Sequence, residues 1–167
     1  MSVIERLKAA GVTLPEPRPP VANYVPFVIT GNVLFISGQV SAGTDGLVVG
    51  RLGENMTLEQ GQAAARICAI NLIAQMKLAL GDLERVTRIL KLGGFVNAAH
   101  DFVDIPKVVN GCSDLMVEPA NTQPQPRMSA DQIEAFGDKG RHARSAVACP
   151  VLPMGAAVEV DAIVEFA

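Results

Sequence analysis

The clearest hydrophobic rhythm in the chain lies near its end. Val158, Val160, Ala162, Val164 and Phe166 alternate with Glu159, Asp161, Ile163 and Glu165, the period-two signature of a strand with one face turned to a core. Arg144–Cys149 just before it reads as a second strand, and the two predict a closing hairpin around Leu152-Pro153-Met154-Gly155. Near the front, the apolar runs Tyr24–Thr30 and Val33–Ser37 flank Gly31-Asn32, a two-residue link that predicts another hairpin. Leu47–Leu52 reads as a third strand leaving through Gly53. Val86–Ala98 reads as a further strand whose Gly93-Gly94 pair marks a bulge or a close backbone approach.

Between these runs the period changes to that of helices. Thr57-Leu58-Glu59-Gln60 fits a capping box, and the helix it opens runs to about Leu80, where Gly81 supplies the stop. Ile67, Ile70, Leu72, Ile73, Met76, Leu78 and Leu80 leave it apolar on most sides, so it is expected to be nearly engulfed, with a sheet on one flank. Asp104 with Pro106 in the first turn opens a second helix, Ile105 to about Val117, with Val108, Val109, Cys112, Leu115 and Met116 at helical spacing. Ser2–Ala10 is a short amphipathic helix stopped by Gly11, and the proline-rich stretch Thr13–Val21 is an extended arm. Pro119, Pro124 and Pro126 make Glu118–Ala135 a long proline-rich insertion loop. The order ββ(β)αβαββ predicts a single α+β domain over residues 1–167, a mixed sheet with two helices packed on one face.

Composition narrows the function. Fourteen Lys+Arg against 17 Asp+Glu give a net charge of −3, and aromatics are 4% with no Trp. Proteins that live on phosphate backbones carry a basic surplus and stacking platforms, so nucleic acid is not favoured as a partner. Cys68, Cys112 and Cys149 are widely spaced and odd in number, which fits reduced thiols in a cytoplasmic protein. No basic, apolar leader opens the chain, and prolines and glycines break its uncharged stretches, so no membrane association is expected. The sequence holds no GxGxxG after a strand, no phosphate loop and no HExxH. Gly137-Asp138-Lys139-Gly140 reads as a turn, and His100 and His142 stand apart from any cysteine, so no metal site is expected.

The predicted closing hairpin brings Arg144 opposite or diagonal to Glu159 and Asp161. Two readings stay open. One is a cross-strand ion pair that solubilises a sheet edge. In the other, the planar fork of Arg144 holds a substrate carboxylate while a nearby carboxylate acts on water.

The residues around this pair resemble a known signature. His142-Ala-Arg-Ser-Ala-Val147, then Leu152-Pro153, then Val158-Glu-Val-Asp-Ala-Ile163 is similar to the C-terminal signature of the RidA/YjgF family of enamine/imine deaminases, also labelled L-PSP endoribonucleases or translation inhibitors. Tyr24-Val25 and Gly31-Asn-Val-Leu-Phe-Ile-Ser-Gly-Gln39 match its first hairpin. The long Met1–Ala22 arm resembles that of a less-characterised subgroup. The resemblance implies a chorismate-mutase-like fold, a homotrimer with three clefts between subunits, and no cofactor. It implies that Arg144 grips the carboxylate of a 2-imino or 2-enamino acid and Glu159 positions or activates the hydrolytic water. It further implies that Tyr24 and Asn110 line the cleft and that backbone near Gly38 closes it.

Three departures stand out. Ala146 occupies a place where the family often has Cys, His142 one where Pro or Ala is usual, and the proline-rich insertion is generally missing. The expected function is hydrolytic deamination of reactive 2-imino/2-enamino acids to 2-oxo acids and ammonia. The alternatives are a non-catalytic small-carboxylate binding protein and an RNA-cleaving or translation-inhibiting role.

Overall fold

The computed structural model describes residues 2–9, 11–17, 23–117 and 135–167. A seven-residue helix α1 (Val3–Ala9) buries Val3 and Leu7, and its first turn is tied down where the Val3 amide donates to Glu84 at 2.6 Å. The first hairpin joins β1 (Phe27–Thr30) to β2 (Val33–Val40) through Gly31-Asn32, as the turn chemistry predicts. The strand starts later than the apolar run because Pro26 lacks an amide proton, which leaves Tyr24 and Val25 exposed ahead of it. The expected third strand, Leu47–Leu52, is not continuous. Two-residue strands β3 (Ala42–Gly43) and β4 (Gly46–Leu47) form a small hairpin, and beyond it Val49 and Leu52 make only isolated bridges.

Helix α2 (Leu58–Leu80) opens on the predicted capping box: the Gln60 amide donates to the Thr57 hydroxyl at 3.3 Å and the Thr57 amide to Gln60 Oε1 at 2.9 Å. Gly81 ends it at φ 76°. By length and composition α2 is apolar enough to cross a membrane. Here Cys68, Leu72, Ile73 and Met76 are instead wholly buried within the fold. Strand β5 (Val86–Asn97) follows, then α3 (Ile105–Met116), which packs beside α2 and buries Val108, Val109, Cys112, Leu115 and Met116. The Ala135 amide donates to the Leu115 carbonyl at 2.8 Å, and the chain then passes through a tight turn at Gly137–Gly140 into β6 (Ala143–Cys149) and β7 (Val158–Phe166).

The five long strands form one sheet in the order β1-β2-β7-β5-β6. All neighbours are antiparallel except β5 and β6, which run parallel. The predicted hairpin between the last two strands is therefore wrong. The segment after Cys149 steps over β5, so β7 lies between β2 and β5 while β6 forms an edge. Burial explains the choice. The alternate residues Val158, Val160, Ala162 and Val164 are at most 1% exposed, and only an inner strand covers that many apolar side chains, whereas every second residue of β6 is exposed. Leu34, Ile36, Ile89, Leu92 and Val96 join this face in the core beneath α2 and α3. The architecture is the α+β, chorismate-mutase-like arrangement expected, a mixed sheet with its two long helices on one side and α1 as a small third.

Candidate functional site

Register decides which residues can meet. Arg144 pairs with Leu92, and Leu92 pairs with Ala162; Leu92 and Ala162 are buried toward the helices, so Arg144 lies on the helix-bearing face. Val147 pairs with Phe95, and Phe95 with Glu159, an odd number of residues away, which places Glu159 on the open face. Asp161 shares that face. The expected neighbourhood of Arg144 with Glu159 and Asp161 does not exist within one chain, because β5 intervenes and the side chains point to opposite sides.

Arg144 meets α3 instead. One guanidinium nitrogen, Nη1, donates to Asn110 Oδ1 and to Ser113 Oγ, each at 2.9 Å, and Nη2 donates to the Pro106 carbonyl at 3.2 Å. Asn110 and Ser113 stand three residues apart, one helical turn, so their polar groups face the same way. Arg144 and Asn110, each expected to line a cleft between subunits, meet within the chain in a direct hydrogen bond. Ser113 was not singled out by sequence reasoning; its spacing of one helical turn from Asn110 was the available signal. Ser113 Oγ also lies 3.0 Å from His142 Nε2, and His142 Nδ1 lies 2.6 Å from the Gly140 carbonyl. Burial, with the positive charge of Arg144 assisting, pushes the proton affinity of His142 down despite that carbonyl. The field of Arg144 also reaches the buried Cys112, whose thiol burial pushes up to about 12 against the cation's pull.

A guanidinium has five N–H donors. Three are committed to α3 here, and among the described residues Arg144 makes no ion pair. Asp114 lies close enough for Arg144 to draw its carboxyl down, but burial dominates and leaves that carboxyl raised. A half-buried cation is thus held in place with two donors uncommitted, the number a carboxylate fork requires. Ala146, two residues on and on the same face, packs against the core.

On the open face, Glu159 is half-buried. Its carboxyl is raised above the usual range, chiefly by burial and then by the charge of Asp161. Its carboxylate lies over Gly38, where a Cβ would collide with Oε1. Asp161 covers Gly93 in the same way and is also raised, mainly by burial. Val28, Phe35 and Val147 are exposed on this side at 53%, 43% and 46%. Tyr24, 50% exposed, precedes β1 at the edge opposite β6. Of the five residues expected in one cleft, the single chain thus joins Arg144 with Asn110 and Glu159 with Gly38, and leaves Tyr24 apart. Among the described residues no group of three His, Cys, Asp or Glu side chains is placed to hold a metal ion.

A family model described as "YjgF/chorismate mutase-like, putative endoribonuclease" matches residues 4–166. Protein TCP17 of Trypanosoma cruzi is 43% identical over 165 residues, covering 98% of this chain and 93% of that protein. The solved structure of Atu1372 from Agrobacterium tumefaciens is 41% identical with a TM-score of 0.83, covering 99% of this chain and 92% of that one. A structure from Shewanella oneidensis, carrying the same endoribonuclease description, is 34% identical with a TM-score of 0.86, covering 99% and 100%.

Proposed function

The chain belongs to the YjgF/chorismate-mutase-like family, and on that premise we propose that it hydrolyses reactive 2-imino or 2-enamino acids to 2-oxo acids and ammonia. The observation that carries this reading is the guanidinium of Arg144, fixed by Asn110, Ser113 and Pro106 with two N–H groups uncommitted and no carboxylate paired to it among the described residues. A cation so held fits the carboxylate of a small acid and sets the orientation of the carbon attached to it.

In this reading the site is completed between subunits. Arg144 sits on the β6 edge and Tyr24 beside the β1 edge of the same sheet, so chains assembled edge to edge as a trimer bring the partner subunit's Tyr24 to the Arg144 side. The exposed Val28, Phe35 and Val147 supply apolar surface for the contact. Glu159 is the base. A carboxylate raised by burial and by Asp161 is more basic than an exposed one. It takes a proton from water as the oxygen attacks the imine carbon. Glu159 passes that proton to the nitrogen, and as the C–N bond breaks the adduct's hydroxyl gives up its own proton to the nitrogen as well, so that ammonia leaves and the carbonyl of the 2-oxo acid forms.

A second reading, a binding protein that uses the Arg144 anchor without chemistry, is favoured by one observation: Glu159 and Arg144 lie on opposite sheet faces of one chain. One experiment separates the readings. 2-Aminoacrylate is generated with a pyridoxal-phosphate-dependent dehydratase, and the release of pyruvate is followed. Wild-type protein should accelerate it and Arg144→Ala should not. No acceleration by the wild type, or full activity in Arg144→Ala, removes the deaminase. Tight carboxylate binding without acceleration leaves the binding protein. Strongly salt-dependent RNA binding would instead favour the endoribonuclease description.

A further inference from the structure

We propose that Ser113 and His142 are positioning residues that lock the Arg144 guanidinium in one orientation, so that its two uncommitted N–H groups face a ligand carboxylate as a ready-made fork. The proposal rests on the reading of Arg144 as a carboxylate anchor and adds what holds the anchor still.

The polarity of every link is forced by the atoms. A carbonyl oxygen only accepts, so the 2.6 Å contact between His142 Nδ1 and the Gly140 carbonyl places the ring proton on Nδ1. Nε2 of the neutral imidazole then carries a lone pair, aimed at Ser113 Oγ at 3.0 Å. Ser113 has one hydroxyl proton and must donate it there. Its oxygen lone pairs are thereby turned to Arg144 Nη1 at 2.9 Å, where only an acceptor is useful. Without His142 the hydroxyl proton loses its acceptor, and the Ser113 oxygen accepts from Arg144 less firmly and with less fixed direction.

Each end of the relay is anchored. Gly140 closes the Gly137–Gly140 turn, and its Cα abuts the Met116 carbonyl at the end of α3 so closely that a Cβ there would overlap it. At the other end, Asn110 takes the second Nη1 proton and the Pro106 carbonyl takes one from Nη2. The guanidinium is therefore held from the helix through Asn110, Ser113 and Pro106, and from the turn through His142. Substituting either Ser113 or His142 leaves the charge of Arg144 and its bonds to Asn110 and Pro106 intact and loosens only its orientation.

The test uses the full chain with three variants: Ser113→Ala, Ser113→Thr and His142→Phe. Two readouts are followed: the Arg144 Nε–H nuclear magnetic resonance signal without ligand, and calorimetric affinity for 2-oxobutanoate. In the wild type the Nε–H signal should be sharp. In Ser113→Ala and His142→Phe it should broaden and exchange faster with solvent, and affinity should fall about tenfold, the scale of one lost hydrogen bond to a charged group. Ser113→Thr, which keeps the hydroxyl, should restore both. Wild-type signal and affinity in His142→Phe, or failure of Thr to rescue at unchanged melting temperature, overturns the proposal. The anchor reading fails differently, through unaltered affinity in Arg144→Ala; the ligand-free signal tests the relay in either case, and His142→Phe keeps the test open should Ser113→Ala not fold.

Discussion

The carboxylate of Glu159 lies directly over Gly38, and the strand is built to let it do so. Ile36 pairs with Ala162 and Gln39 with Val160, so Ser37 and Gly38 together oppose Asp161 in a bulge. A Cβ at residue 38 would occupy the space of Glu159 Oε1. Because the displaced group is the end of a side chain, Gly38→Ala should cost no more than about 1 kcal/mol in urea unfolding. The deaminase rate should nevertheless fall at least about tenfold as the base is moved. An unchanged rate would show that the position of Glu159 is not used.

Arg144→Lys should behave like Arg144→Ala rather than like the wild type. An ammonium has three donors on a compact charge, and it cannot serve Asn110, Ser113 and Pro106 while offering two parallel N–H groups to a ligand. We expect kcat/KM to drop by about two orders of magnitude in both variants, consistent with loss of a charge-assisted bidentate contact. Steady-state pyruvate release measures it. Recovery by Lys to within a few-fold of the wild type would mean that charge, not the fork, does the holding.

Local chemistry in the sequence predicted local structure well, and non-local pairing poorly. Gly31-Asn32 and Thr57–Gln60 carry their own turn and cap geometry, and both form as read. The placement of β6 was not legible. Arg144–Cys149 and Val158–Phe166 are joined by a short link, and such a link serves a hairpin or a step over one strand equally well. What decides is competition for the centre of the sheet, which β7 wins with Val158, Val160, Ala162 and Val164. The same blindness covers the site. Arg144 with Asn110 followed from family resemblance, whereas the role of Ser113 depends on α3 crossing above β6, which no run of residues announces. The proline-rich insertion was expected as a peripheral loop; Glu118–Glu134 lies outside the described residues, and only its base can be read.

Stability should fall on the acid side of neutrality partly through His142. Burial and Arg144 lower its proton affinity in the folded chain below the ordinary value of 6.5. The unfolded chain therefore binds more protons in the window below that value. The contribution of neutral His142 is fully present above pH 6.5 and is lost as pH falls from there toward the depressed folded value. Between pH 7.5 and 5.0 the melting temperature of the wild type should drop further than that of His142→Phe, followed by circular dichroism. Equal drops would mean that the imidazole titrates as if exposed.

Three chains should elute together. Light scattering with size-exclusion chromatography should report about 53 kDa, three times the 17.6 kDa chain. The open sheet face leaves Phe35 43% and Val147 46% exposed, and among the described residues β1 and β6 are edge strands with no further strand paired to their outer sides. A monomer at micromolar concentration would leave Tyr24 stranded across the sheet from Arg144 and remove it from the proposed site.

Deleting Pro119–Gln132 should leave the fold standing, because the described residues on either side of the segment already meet. The Ala135 amide reaches the Leu115 carbonyl at 2.8 Å, Ala135 and Phe136 are buried, and Gly140 packs on Met116. Shortening a loop whose ends are pinned reduces closure entropy only as the logarithm of its length, so the deletion should stabilise slightly, by less than about 1 kcal/mol. The melting temperature should stay within about 3 °C of the wild type, and the elution volume should shift only by the lost mass. Aggregation of the deletion would mean that the segment covers apolar surface the rest of the chain cannot. The activity of the same variant separates two roles. Unaltered pyruvate release marks an inert excursion, whereas a selective rise in KM with an intact fold would tie the segment to the entrance of the Arg144 site through the turn that carries Gly140 and His142.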